Sequence, residues 1–136
     1  MALAVDVTAL VEHIRRHIPG ILAIYVYGSR VREEQRPDSD LDLALLLPRT
    51  GAVSALDLAQ LQGDLESAAG FPVEISILSP EVQTVHCKEV VTGGQLVFIG
   101  DRVAVDEFEM YVLSGYARLC EDRAPVVKAY TGRSDG

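Results

Sequence analysis

Cysteine is scarce in this sequence: Cys87 and Cys120 are the only two, they stand far apart, and neither has a partner at metal-ligand spacing. That argues against a disulfide framework and against a zinc site, and both thiols are expected to be reduced and packed. No apolar run is long enough to span a bilayer. The opening stretch MALAVDVTALVEHIRRHIPG carries Asp6, Glu12 and two arginines inside its apolar pattern, unlike the uninterrupted run of a signal peptide. The cytoplasm is therefore the expected location, and no membrane partner is expected. Basic residues are few, 12 against 20 acidic ones, and the net charge of -8 has the wrong sign for the electrostatic footprint of a nucleic-acid binder. No direct nucleic-acid contact is expected. The first 120 residues lack any tract rich in proline, glycine and serine, and 49% of all residues are hydrophobic, which excludes a disordered chain. Also missing are a P-loop, a GxSxG elbow, an HExxH pair and a GxGxxG turn, so nucleotide binding of the P-loop or dinucleotide type, hydrolase and zincin chemistry lack support.

What is present is enough for one core. A chain of 136 residues buries roughly two-thirds of its unfolded surface and rarely divides into two domains. Val7, Leu10, Val11, Ile14 and Ile18 recur at helical spacing after Asp6 and stop at Pro19-Gly20, which predicts an amphipathic helix laid on a sheet. ILAIYVY (21 to 27) and LDLALLL (41 to 47) read as strands, ended by Gly28 and Pro48. Ser54, with Asp57 three residues on, opens a second helix whose Leu58, Leu61, Leu65 and Ala68 share a face before Gly70. FPVEISIL (71 to 78) is a third strand. Ser79-Pro80 has the form of a cap and first helical position, so a third helix is predicted over 80 to 92, up to Gly93-Gly94. QLVFI (95 to 99) is a short strand, and Phe108, Val112, Gly115 or Tyr116, and Leu119 form the stripe of a last helix ending near Pro125. Residues 124–136 lack an apolar pattern and are expected to form a flexible tail.

The segment with chemical content runs from Tyr27 to Leu47, YGSRVREEQRPDSDLDLALLL. Alternation along a strand sends Asp40 and Asp42 to one face and Leu41 and Leu43 to the other. Two carboxylates brought to one spot repel each other and lose hydration, and a divalent cation relieves both penalties. Mg²⁺ suits an all-oxygen site with room for phosphates and water. Gly28-Ser29 follows directly on a strand, where glycine permits a tight turn and the serine hydroxyl and nearby N–H groups suit phosphate oxygens; Arg30 adds a charge-assisted contact. Glu74 interrupts the third strand on the face of Ser76 and Leu78, so three carboxylates from two strands would make a two-metal site. Each signal alone has a plain explanation, as a solvated strand end, a turn or an edge-strand charge. Their order and spacing favour the site.

Other groups carry less. His13 and His17 lie one helical turn apart without a third ligand and read as surface residues. Arg30, Arg32 and Arg36 form a basic patch amid Glu33 and Glu34, suited equally to a solvated loop and to a triphosphate or partner contact. His86 and Cys87 are adjacent, hence on different helix faces, and are not a catalytic pair.

With these residues in view, the sequence resembles the minimal nucleotidyltransferases of the DNA polymerase β-like superfamily, from about Ile21 to Tyr116. That family shows a strand, a Gly-Ser turn, an S-D-x-D-L segment and a later acid in a short apolar strand. Here the counterparts are Gly28-Ser29-Arg30, Ser39-Asp40-Leu41-Asp42-Leu43 and Val73-Glu74-Ile75. Glu33 stands where the family has a second glycine, and Glu74 where aspartate is commoner. The small size is similar to the antitoxin branch that pairs with HEPN-domain toxins. The resemblance implies an α/β fold with a small mixed sheet flanked by helices, a nucleotidyltransferase domain over residues 1–123, and a cognate HEPN toxin as partner. It implies that Asp40, Asp42 and Glu74 hold Mg²⁺, two ions in all, with Glu74 helping to activate the acceptor. Gly28, Ser29, Arg30 and Ser39 would bind the nucleotide. The implied reaction moves AMP from ATP to a hydroxyl, a tyrosine by preference, on the toxin. A non-catalytic antitoxin that acts by binding, and a transferase for a small hydroxylated molecule, are the rival readings.

Overall fold

The computed structural model describes residues 7–28, 40–48 and 53–130, with side chains up to residue 121. Within them the chain forms α1 (Val7–His17), β1 (Ala23–Tyr27), β2 (Leu41–Leu46), α2 (Ala55–Ala69), β3 (Val73–Ile77), α3 (Thr84–Gly93), β4 (Gln95–Ile99) and α4 (Arg102–Tyr130). The strands make one sheet in the order β3-β2-β1-β4. β1 runs antiparallel to β2 and to β4, and β2 runs parallel to β3. The sheet is mixed, as expected. The parallel pair needs a crossover, which α2 supplies.

Period-two alternation divides the strand side chains between two cores. Ile24, Val26, Leu41, Leu43, Leu45 and Val73 pack with Leu10 and Ile14 of α1 and Leu61 and Leu65 of α2. On the opposite face Ala23, Tyr25, Ala44, Leu46 and Leu78 meet Cys87 and Val90 of α3 and Val105, Phe108 and Val112 of α4. The sheet is thus covered on both sides, which explains why β2 is apolar almost throughout. Tyr25 is fully buried and donates to Glu109 Oε2 at 2.7 Å, so the one polar atom it takes into the second core is satisfied. Burial, then the Glu109 hydrogen bond and charge, push its phenol far above the ordinary range, and it stays neutral.

The helix signals hold in detail for α2. Ser54 Oγ accepts from the Asp57 N–H at 3.1 Å, and Gly70 closes the helix in the left-handed region, φ 81°, with its N–H bonded to Glu66 O. Leu61 and Leu65 are buried and Leu58 half-buried, but Ala68 is exposed, because the apolar face is only as wide as the contact with α1 requires. His17 Nε2 lies 3.3 Å from Asp64 Oδ2 and ties the two helices together at the surface.

Three expectations need correction. α3 begins at Thr84, not at Pro80: the N–H groups of Val82 and Gln83 both fold back on Ser79 O, at 3.1 and 2.8 Å, closing an isolated turn. Val82 is exposed, so nothing apolar anchors that turn as helix. α4 passes Pro125 and continues to Tyr130, since a proline removes one backbone hydrogen bond from a helix that already runs about six turns before it. Cys87 is buried and packed as expected, whereas Cys120 is exposed on α4, away from the stripe of Val105, Phe108 and Val112. Asp6 and residues 131–136 lie outside the described residues.

Gly63 within α2 and Gly70 at its C-cap give opposite expectations. A Cβ at either meets nothing within 4 Å, but only Gly70 has positive φ. Gly63→Ala should therefore raise stability by about 0.5–1 kcal/mol, as an exposed mid-helix glycine. Gly70→Ala should lower it by about 1 kcal/mol through left-handed strain. Urea denaturation of the two variants checks the sign of each.

Candidate active site

The two acidic strand residues come together by register. Leu41 N bonds to Pro72 O at 3.0 Å at the start of the parallel pair, and the ladder then sets Asp42 opposite Glu74, while Tyr27 on β1 stands opposite Asp42 from the other side. Tyr27, Asp42 and Glu74 thus form one row across three strands. It lies on the α3 and α4 face, one step beyond the apolar row of Tyr25 and Ala44. Asp42 is half-buried and Glu74 exposed. Asp40 has the same parity but precedes β2 and is exposed, so no ladder hydrogen bond fixes it.

Gly28 closes β1 beside this row. Its φ is 91°, and a Cβ built there would overlap Asp42 Oδ2 and lie 3.2 Å from Asp42 Cγ. Both constraints demand glycine: the turn needs left-handed backbone, and the Asp42 carboxylate occupies the space of a side chain. The expected glycine is therefore tied directly to the expected carboxylate. Ser29, Arg30, Ser39 and the rest of the 29–39 segment, including Arg32, Glu33 and Arg36, lie outside the described residues.

The donors on the row are carboxylate oxygens, which fit Mg²⁺. Among the described residues, no three His, Cys, Asp or Glu side chains gather closely enough to hold a metal ion. Asp42 and Glu74 share a face and a register position, and Asp40 stands ahead of the ladder.

Three neighbours escaped the sequence reading as members of the site. Tyr27 Oη lies 3.4 Å from Ser76 Oγ, Ser76 Oγ lies 3.3 Å from His86 Nε2, and the Tyr27 and His86 rings meet edge to face at 5.5 Å. Burial pushes the Tyr27 phenol upward, and the charges of Asp42 and Glu74 add to it. Tyr27 and Ser76 were visible in sequence as same-face neighbours of Asp42 and Glu74. His86 was not, because its place depends on how α3 crosses the sheet. Its separation from Cys87, which is buried in the second core, is as expected. A shallow cavity of about 300 Å³ opens beside the turn, lined by Tyr27, Gly28, Glu89 and Gly93. His17 is exposed, as expected, whereas His13 is half-buried; both stand on α1, which packs on the opposite face of the sheet from this row.

A mixed sheet that carries a Gly turn at the end of one strand and acids on the next two is the framework of a nucleotidyltransferase. The chain belongs to the polymerase beta nucleotidyltransferase family, whose sequence profile matches residues 9–103. It is similar to the protein adenylyltransferase MntA of Shewanella oneidensis, with 29% identity over 119 residues, covering 87% of this chain and 82% of that protein. Among solved structures it is similar to a chain of a toxin–antitoxin crystal structure with AMP-PNP, at TM-score 0.73 and 25% identity, covering 90% of this chain and 96% of that one. A chain of a mutant MntA–HpeT toxin–antitoxin complex shares the fold at TM-score 0.77 and 24% identity, covering 93% and 99%. The α/β fold expected from the sequence is thus the fold observed, and the chain is a nucleotidyltransferase.

Because relief of the overlap at Gly28 requires the Asp42 carboxylate to move, Gly28→Ala should keep the fold at a cost of about 1–2 kcal/mol. Nucleotidyl transfer should fall about 100-fold. A melting curve and a labelled-nucleotide assay separate the two effects, and an active Gly28→Ala protein would contradict the assignment.

Proposed function

We propose that this chain is an antitoxin that transfers AMP from Mg-ATP to a hydroxyl of a cognate HEPN toxin, preferably a tyrosine, and so neutralises it in the cytoplasm. The observation that carries this is the join of Gly28, Asp42 and Glu74: a turn fit for phosphates, set against a carboxylate whose strand neighbour is a second carboxylate. The likeness to a protein adenylyltransferase and to a toxin–antitoxin structure with an ATP analogue supports nucleotide and partner. Among the described residues no helix is long and apolar enough to cross a membrane.

In this reading Asp40, Asp42 and Glu74 hold Mg²⁺, and Gly28, Ser29, Arg30 and Ser39 hold the triphosphate. Bound Mg²⁺ supplies charge neutralisation for the phosphates and for the attacking and leaving oxygens. Glu74 takes the proton of the incoming hydroxyl, the oxygen bonds to the α-phosphorus, and the bond to the pyrophosphate oxygen breaks. A phenol suits this step because it is more acidic than an aliphatic alcohol. An AMP group left on the toxin is bulky and anionic and would obstruct a cationic RNA-binding cleft.

Asp42→Asn should leave the fold intact and weaken Mg-ATP binding at least about tenfold, since the amide brings no charge to the cation. Calorimetry measures this, and equal affinities would remove Asp42 from the site. For the reaction itself, the wild-type chain incubated with Mg-ATP and its toxin should add the mass of AMP to the toxin. A Glu74→Gln chain should still bind the toxin and add none. Full rescue of growth by Glu74→Gln, with no modified toxin in wild-type cells, would leave an antitoxin that works by binding alone.

A further inference from the structure

Tyr27 stands on β1 and Ser76 on β3, with β2 between them. To bring its oxygen within 3.4 Å of Ser76 Oγ, the Tyr27 side chain lies across β2, where the small Ala44 leaves room beside Asp42. The phenol ring packs against the apolar core that holds Tyr25 and Leu46. Three hydrogen bonds meet at Ser76: it donates to Leu43 O at 3.5 Å, and Tyr27 and His86 both stand within reach of its oxygen. A serine hydroxyl has one proton and two lone pairs. With its proton directed to Leu43 O, it accepts from the Tyr27 hydroxyl and from a His86 Nε2–H, and every group is satisfied. In that arrangement the Tyr27 proton points to Ser76 and not to the carboxylates of Asp42 and Glu74. His86 adds its ring edge against the phenol.

We propose that His86 is a positioning residue of the transfer reaction: through Ser76 and its own ring it fixes Tyr27 across β2 as the floor beneath Asp42 and Glu74. This rests on the assignment of those two carboxylates to the site. His86 reaches the site through Ser76 and the Tyr27 ring, so its removal is expected to act on the rate of the chemical step and not on nucleotide affinity. Without it, Tyr27 is free to turn its hydroxyl toward the carboxylates and compete with the acceptor.

The test uses the full chain, Mg-ATP and the toxin that co-purifies with it, and reads kcat, the KM for Mg-ATP and the melting temperature. His86→Ala should lower kcat about tenfold with KM within about twofold of wild type. His86→Gln, whose amide N–H reaches the Nε2 position, should recover kcat to within about threefold of wild type. Ser76→Ala should match His86→Ala, and the double variant should lose no more than either, because both act on one contact chain. Wild-type kcat for a folded His86→Ala protein, equal losses in the Ala and Gln variants, or losses that multiply in the double variant would each overturn the proposal. Should His86→Ala fail to melt cooperatively, Ser76→Ala against His86→Gln decides: a loss in the first and none in the second supports it, and any other pattern sinks it. Glu74→Gln run alongside separates the two layers. If that variant is active, the site assignment itself fails; if it is inactive while His86→Ala is not impaired, only the role of His86 fails.

Discussion

A carboxylate in the middle of a sheet covered on both faces is the constraint around which this domain is arranged. Asp42 sits in β2, an interior strand whose other members from Leu41 to Leu46 are buried apolar residues. Leaving charge there is unfavourable unless water, a cation or hydrogen-bond donors reach it. The chain meets that requirement at the end of the strand. Gly28 withdraws the side chain that would otherwise close over the carboxylate, and Glu74 is exposed beside it. Among the described residues, the site is therefore the exposed margin of a sheet covered elsewhere on both faces.

The two cores serve that margin in different ways. The face of α1 and α2 fixes the strands, through Leu41, Leu43 and Val73 directly behind the acidic row. Because one-residue slippage would exchange Leu43 for Asp42 on the buried face, the register that pairs Asp42 with Glu74 is strongly specified. The face of α3 and α4 supplies neighbours: α3 carries His86 over the row while Cys87 and Val90, on its other side, hold the helix down. Burial pushes the Cys87 thiol upward, so it remains a neutral packing group, with the nearby Glu81 charge adding to that effect and a Ser79 backbone contact opposing it. A thiolate nucleophile has no part here.

Much of this was legible in the sequence because local rules and tertiary structure agree. β4 runs over the residues read as QLVFI, and α2 has the cap and the closing glycine that Ser54 and Gly70 announce. The adjacency of Asp42 and Glu74 followed from placing both on neighbouring strands, although spacing alone does not state whether those strands run parallel. The failures have local causes. Ser79-Pro80 carries a helix-start signal, yet the chain spends those donors on one turn because no apolar residue there meets the core. Pro125 carries a stop signal that the long α4 overrides. His86 carried no signal, since its role comes from the crossing of α3 over β1 and β3, a relation between elements far apart in sequence. Asp40 shows a different limit: parity assigns it the face of Asp42, but says nothing about how a residue ahead of the ladder is held.

The central claim is that the Asp42 and Glu74 carboxylates are where cation and nucleotide meet. Anomalous diffraction from crystals of the chain grown with Mn²⁺ and a non-hydrolysable ATP analogue tests it most directly. The account predicts an anomalous peak between those two side chains, roughly 2.0–2.2 Å from a carboxylate oxygen of each as expected for a hard divalent cation, with the phosphates against Gly28. A peak and a nucleotide bound elsewhere on the sheet, with Asp42 and Glu74 touching neither, would contradict it.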